Sequence, residues 1–265
     1  MHSKSSNNFW KNQKVLITGH NGFKGTWLSI WLNYKKAKII GYSLKPKKYH
    51  KLYNKSKIEK DIININGDIK DKKKLKNVII KYRPKIIFHL AAQPIVLDSY
   101  DNPRETIDTN FNGTLNLLEI CKNFSFIKSI IIVTSDKCYE NIKKNNYYSE
   151  SDKLGGLDPY SCSKSLIELL VKSYSSSFYF KNSKNASLAT VRSGNVIGGG
   201  DFSNHRIVPD VINSFNSNKT LYLRNPNSIR PWLHILDSLN GYMILAEKLT
   251  INDNNFSGSW NFGPN

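Results

Sequence analysis

Tyr160 and Lys164 stand four residues apart in Asp158-Pro159-Tyr160-Ser161-Cys162-Ser163-Lys164, with Leu166, Ile167, Leu169 and Leu170 behind them. A spacing of four puts both side chains on one face of a helix. An ammonium beside a phenol favours the phenolate and draws its pKa from about 10 toward the working range. Tyr160 is therefore a candidate base for an alcohol or sugar hydroxyl, with Lys164 as its electrostatic partner. A second polar cluster, Thr134-Ser135-Asp136-Lys137-Cys138-Tyr139, closes the apolar run at 130–133. The carboxyl ends of parallel strands are where open α/β sheets place their chemistry. Ser135 there is a candidate donor to the same oxygen that Tyr160 would serve.

A third group is Thr18-Gly19-His20-Asn21-Gly22-Phe23-Lys24-Gly25, directly after the apolar Val15-Leu16-Ile17 and before an amphipathic stretch. Glycines between a strand and a helix let the backbone approach a pyrophosphate, which the helix N-terminus then holds. No GKS or GKT closes the loop, so it is not a mononucleotide P-loop. About twenty residues on, an acid would hold the adenosine ribose. Gly41-Tyr42-Ser43-Leu44-Lys45 has none. Lys45 and Lys47 could meet a 2′-phosphate, which leaves both NAD and NADP open at this point. Asp68, after the next strand, could accept from the adenine amino group; its alternative is a turn aspartate.

These residues need a frame. Apolar runs predict strands at 15–17, 37–42, 62–66, 86–90, 130–134 and 188–192, with helical patterns at 26–34, 72–81, 110–122 and 161–179. Strands alternating with helices predict an α/β fold, a doubly wound, mostly parallel Rossmann sheet. From about Pro209 shorter elements are expected, broken at Pro226, Pro231 and Pro264. The expected division is a dinucleotide-binding domain over 1–190, to which later segments can return, and a smaller substrate region over 191–265. That region is expected to be only partly formed, because Trp260 to Asn265 reads as a strand running into a turn.

Composition narrows the classes. The 265 residues carry 39 Lys plus Arg against 20 Asp plus Glu, a formal net charge of +19. The excess is lysine, and seven lysines fall between Leu44 and Lys60 without a zinc-finger or RNA-binding signature. A lysine-biased solvated surface is the favoured reading, ahead of steering of an anionic small substrate and of a polyanion surface; no nucleic-acid partner is expected. No apolar stretch is long enough to span a membrane, and the first residues lack the apolar core of a secretory signal, so a cytoplasmic location is expected. Cys121, Cys138 and Cys162 cannot all pair with one another, and they lack ligand spacing. With His20, His89 and His234 also scattered, neither a disulfide framework nor a metal is expected. Trp27, Trp31 and Tyr174 are expected in the core or at a subunit interface.

Taken together, the motifs resemble the extended short-chain dehydrogenase/reductases. More narrowly, they are similar to the nucleotide-sugar 4,6-dehydratases, above all the branch acting on CDP-glucose. The segments that carry the likeness are FWKNQKVLITGHNGFKGTWLSIWL, FHLAAQPIV, TNFNGTLNLLE, TSDKCY, YSCSK, VRSGNVIGGGD, RIVPD and RPWLHILD, nearly the whole chain. The resemblance implies NAD as a recycled cofactor and a redox-neutral dehydration of a nucleotide-sugar, CDP-glucose or a relative. The setting it implies is deoxysugar and lipopolysaccharide O-antigen biosynthesis, with a homo-oligomer as the working form. Cofactor contacts would come from Gly19, Asn21, Gly22, Phe23, Lys24, Gly25, Ser43, Asp68, Ile69, Ala91, Ala92, Gln93, Asn110, Tyr160 and Lys164, with Thr109 nearby. The catalytic set would be Ser135, Asp136, Lys137, Tyr160 and Lys164. Asp136 would protonate a leaving C6 hydroxyl. Lys137 stands where many relatives carry a glutamate base, so the base at C5 stays open. Asn195, Arg206 and Arg230 would meet the substrate diphosphate. A 4-epimerase or a GDP-mannose-type dehydratase is the near alternative, and a non-catalytic basic binding protein the distant one. The Asp136-Lys137 pair speaks against a simple epimerase, which needs no acid for a leaving hydroxyl.

Overall fold

A computed structural model describes residues 7–48, 50–140, 147–179, 186–203, 205–223, 226–251 and 254–264. The lysine-bearing run at 141–146, expected at the surface, lies outside them. The chain begins with α1 (Asn7–Trp10), β1 (Lys14–Thr18), α2 (Phe23–Tyr34), β2 (Lys38–Ser43), α3 (Lys51–Ser56) and β3 (Ile63–Asn66). It continues through α4 (Lys72–Tyr82), β4 (Ile86–His89), α5 (Val96–Asp101), α6 (Pro103–Ile107), α7 (Gly113–Cys121) and β5 (Ser129–Val133). The remainder is α8 (Pro159–Tyr174), β6 (Ser187–Ser193), β7 (Val196–Ile197), α9 (Ile207–Asn216), β8 (Leu233–His234), α10 (Ile235–Thr250) and β9 (Gly258–Phe262).

Seven strands form one sheet in the order β3-β2-β1-β4-β5-β6-β9, and every pairing in it is parallel. Alternation along each strand sends neighbouring side chains to opposite faces. Leu16 joins Ile40, Ile87, Ile130 and Leu188 in one core, packed with Leu75, Ile79, Leu117 and Ile167 of α4, α7 and α8. Val15 and Ile17 join Phe88, Ile131 and Val191 in the other, packed with Leu28 and Leu32 of α2 and Leu239, Met243 and Ala246 of α10. Burying each such side chain is worth about 1.5–3 kcal/mol, and both faces are covered. That is why the central strands read as unbroken apolar runs. Because β1 has β2 on one side and β4 on the other, the connections diverge there, and a crevice opens above the carboxyl ends.

Helix starts follow local chemistry. Asp71 caps α4 by accepting from the Lys74 amide. Asp158 caps α8 by accepting from the Ser161 amide at 2.9 Å and hydroxyl at 2.6 Å, with Pro159 at the first helical position. The expected helix over 110–122 is divided: a π turn at Asp108–Asn112 precedes α7. A second π turn, Ser175–Tyr179, follows α8.

The expectation of only short elements after Pro209 is overturned by α10, sixteen residues long. Gly241 weakens the helical signal there, but it is the packing seat of Phe262. A Cβ at Gly241 would fall 2.1 Å from the Phe262 ring. β9 pairs with β6 and extends the main sheet. The two-stranded pairing of β7 with β8, together with α9, lies between.

Candidate active site

The glycine turn follows β1 and caps α2. Gly19 has φ +72, and a Cβ there would lie 2.7 Å from the Ala91 amide nitrogen. A Cβ at Gly25 would lie 2.1 Å from the Gly19 carbonyl oxygen. Both glycines are required by the protein's own packing. Gly22 differs: its φ is −73, and an added Cβ would meet only the Gly19 oxygen, at 3.4 Å. Gly22 also offers no capping side chain, so the first-turn amides of α2 remain available to an anion. This cradle fits a dinucleotide pyrophosphate.

The other expected cofactor residues surround it. Asn21 Nδ2 donates to the Leu44 carbonyl at 2.6 Å, tying the loop to the end of β2. Phe23 opens α2, partly buried on the core. Lys24 reaches the Tyr242 hydroxyl of α10 at 3.4 Å. Ala91, next to Gly19, donates its amide to Thr18 Oγ1 at 3.3 Å, and Ala92 and Gln93 follow it, half-buried. Asn110, fully buried in the π turn, accepts from the Gln93 amide at 2.8 Å and donates to Ser163 at 2.9 Å. It thereby locks the stretch after β4 to α8. Ser43 is buried and bonded to His20 Nδ1 at 3.0 Å. Asp68 accepts from the Lys70 amide at 2.9 Å in its own turn, and Ile69 is buried in the core.

β5 and α8 bring the chemistry together. Lys164 is 3 % exposed; its Nζ donates to the Val133 carbonyl at 3.2 Å and lies 5.8 Å from the Tyr160 ring centre. Burial lowers Lys164 to about 8, and the Lys24 charge adds to that. The expected lowering of Tyr160 does not occur: burial of the phenol dominates and pushes it up to about 12. A hydrogen bond with Ser135 and the charge of Arg206 oppose the rise, while Asp136 and Asp158 add to it. Ser135 thus joins Tyr160. Its Oγ also donates to Asp136 Oδ1 at 3.0 Å and accepts from the Lys137 amide at 3.3 Å. A Cβ on Gly194 would lie 3.4 Å from Asp136 Oδ2 and 2.5 Å from Pro231 Cγ, so the carboxylate faces the segments beyond β6. Lys137 is exposed.

The expected substrate residues are more scattered. Asn195 accepts from the Leu233 amide at 2.9 Å through its carbonyl, within the pairing of β7 with β8. Arg206 caps α9, pairs with Asp201 at 2.7 Å, and its charge reaches Tyr160. Arg230 is exposed.

Two polar arrangements were not foreseen. His20, lowered to about 4 by burial, bridges Ser43 and Asn64. Glu168 and Arg192 form a buried ion pair beneath the site. A carboxylate on the buried face of α8 and an arginine inside an apolar strand were the available signals.

A parallel sheet with a glycine turn after its first strand and a Ser-Tyr-Lys cluster beside the fifth defines a short-chain dehydrogenase/reductase. The chain belongs to the GDP-mannose 4,6-dehydratase family, whose model matches residues 16–259. It is 44 % identical over 262 residues to the CDP-glucose 4,6-dehydratase of Salmonella typhimurium, covering 97 % of this chain and 72 % of that protein. It is 32 % identical to the dTDP-D-glucose 4,6-dehydratase of Dictyostelium discoideum, covering 89 % of this chain and 56 % of that one. Among solved structures, the dTDP-glucose 4,6-dehydratase of Bacillus anthracis in complex with NAD superposes with a TM-score of 0.79 at 23 % identity, covering 96 % and 76 % of the two chains. An epimerase of Methanothermobacter thermautotrophicus does so with a TM-score of 0.82 at 22 % identity, covering 97 % and 73 %.

Proposed function

We propose that this chain carries the 4,6-dehydration of CDP-D-glucose to CDP-4-dehydro-6-deoxy-D-glucose and water. The carrying observation is the carboxyl of Asp136 beside the Ser135–Tyr160 pair. An epimerase needs no such acid. The 44 % identity to the Salmonella enzyme supports the choice of nucleotide. NAD, which the Gly19–Gly25 loop would hold with Ala91, Ala92 and Gln93 alongside, would supply reversible hydride storage between C4 and C6 and would not be consumed.

The chain's own groups do the proton work. Tyr160 takes the O4 proton while Ser135 holds the same oxygen, and ionising the buried Tyr160 phenol is the costly part of that step. Loss of the O4 proton together with the C4 hydride gives a C4 ketone, which acidifies the C5 hydrogen. Loss of that proton and departure of the C6 hydroxyl, protonated by Asp136, release water. Lys137 either takes the C5 proton or stabilises the enolate by its charge. Arg206 and Arg230 neutralise the substrate diphosphate, guanidinium forks being matched to phosphate oxygens, and Asn195 lies alongside. In this reading residues 1–190 carry the cofactor and 191–265 begin the sugar-nucleotide site; the working form is a cytoplasmic homo-oligomer.

Incubation with CDP-, dTDP- and GDP-sugars plus NAD, followed by mass spectrometry, tests the proposal. Loss of one water from CDP-glucose is expected, with the absorbance of a 4-keto-6-deoxy sugar in alkali. An isomer of unchanged mass would favour the epimerase instead.

A further inference from the structure

Glu168 lies one helical turn beyond Lys164, on the same face of α8. Its side chain is 1 % exposed and that of Arg192 is 3 % exposed, with 2.7 Å between Glu168 Oε2 and the guanidinium. Around this pair the polar contacts close on the catalytic residues from two sides. Glu168 Oε1 accepts from Thr134, the residue before Ser135. Arg192 donates at 2.7 Å to the hydroxyl of Tyr139, the residue after the 3-10 turn Asp136–Cys138. The Tyr139 hydroxyl in turn donates to Asn261 Oδ1 of β9 at 2.7 Å. Ser259, also on β9, donates to Glu168 Oε2 at 3.1 Å, and Thr190 of β6 does so at 2.7 Å.

Stability alone is a weak reason for such a pair. Two buried charges are costly to desolvate, and apolar replacements of similar volume are often as stable. The guanidinium is also imperfectly satisfied, since Arg192 Nε has no hydrogen-bond partner among the described residues.

We propose that the Glu168–Arg192 pair is a positioning device that holds the Ser135–Lys137 turn and Lys164 in register by anchoring them to β6 and β9. It rests on the dehydratase reading for its catalytic consequence. The turn enters the device at Thr134 and leaves it at Tyr139, so a shift of the pair displaces Ser135 and Asp136 together. Lys164 receives the carboxylate's charge as well. The groups facing its ammonium are Lys24 of α2, His89 of β4, Cys138 of the turn, Tyr160 and Glu168 of its own helix. Glu168 is the acidic member, and it opposes the loss of the Lys164 proton.

The test uses the apolar double variant E168M/R192M, the neutral E168Q, and two variants that cut single links while leaving the charges in place, T134V and Y139F. The double variant is expected to melt within a few degrees of the parent and to bind NAD with parental affinity. Its kcat should fall about 10- to 100-fold, with KM little changed, as expected for misplaced catalytic groups. T134V and Y139F should lose kcat in the same direction. In E168Q the Lys164 ammonium loses its negative neighbour, so it should discharge at lower pH, and the alkaline limb of kcat should move down with it. Parental kcat in a folded double variant, or in both T134V and Y139F if the double variant does not fold, would overturn the proposal. Titration of Lys164 Nζ by heteronuclear NMR reads the device without turnover. An unchanged midpoint in E168Q would count against it, whereas a parent inactive on every nucleotide-sugar would count only against the dehydratase reading.

Discussion

Tyr160 is harder to ionise than a free tyrosine, because burial at the start of α8 outweighs the help of Ser135 and Arg206. Its role as base is nevertheless testable by subtraction. Tyr160→Phe should lower the first half-reaction and water loss together, by about 10²- to 10⁴-fold, as typical for removal of a general base. Asp136→Asn should spare the first half-reaction and slow the second, so that reduced nicotinamide and the 4-keto hexose accumulate in a stopped-flow trace. Lys164 has a stability signature too. Its folded value of about 8 lies below the ordinary lysine value of 10.5. Between those values the unfolded chain binds more protons, so stability should rise with pH across that window. Lys164→Met should flatten the slope, which urea unfolding at pH 7 and pH 9.5 would reveal.

At the level of elements, the glycine turn separates packing from binding. Gly25→Ala drives a methyl into the Gly19 carbonyl and should lower the melting temperature. Gly22→Val has room within the protein, so it should keep the parental circular dichroism and lose dinucleotide affinity in calorimetry. Gly241→Ala replaces a poor helix former, a gain of roughly 1 kcal/mol in an exposed helix. Here the new methyl meets the Phe262 ring at 2.1 Å, so the variant should melt lower than the parent. The same contact explains what the sequence did and did not disclose. β1, β4, β5 and the α8 face were legible, because an apolar run or a four-residue spacing is a local signal. α10 was obscured by Gly241, whose reason lies in a strand twenty-one positions later. The Glu168–Arg192 pair was hidden for a related cause: which charges meet inside a sheet depends on strand order, and nothing near Glu168 names β6. The rise at Tyr160 escaped as well, since spacing reveals a neighbouring ammonium but not how much water the fold removes.

Across the whole molecule the basic excess is spread over exposed positions, including Lys45, Lys47 and Lys48 just beyond β2. If these lysines only keep the surface solvated, neutralising the three should alter solubility and leave kcat/KM unchanged. A rise in KM that disappears at high ionic strength would show instead that they steer an anionic substrate. The order of strands also sets a timetable. Ser259 touches Glu168 across 91 residues of chain, and translation proceeds at about 5–20 residues per second, so Glu168 waits roughly 5 to 20 s for that partner to be made. During this interval a nascent chain carries its charged pair without the closing strand. Ordering of the Ser135–Lys137 turn through Glu168 therefore waits for β9 to be made, and a nascent chain holds the residues of its cofactor cradle well before the contact that closes the Glu168–Arg192 pair.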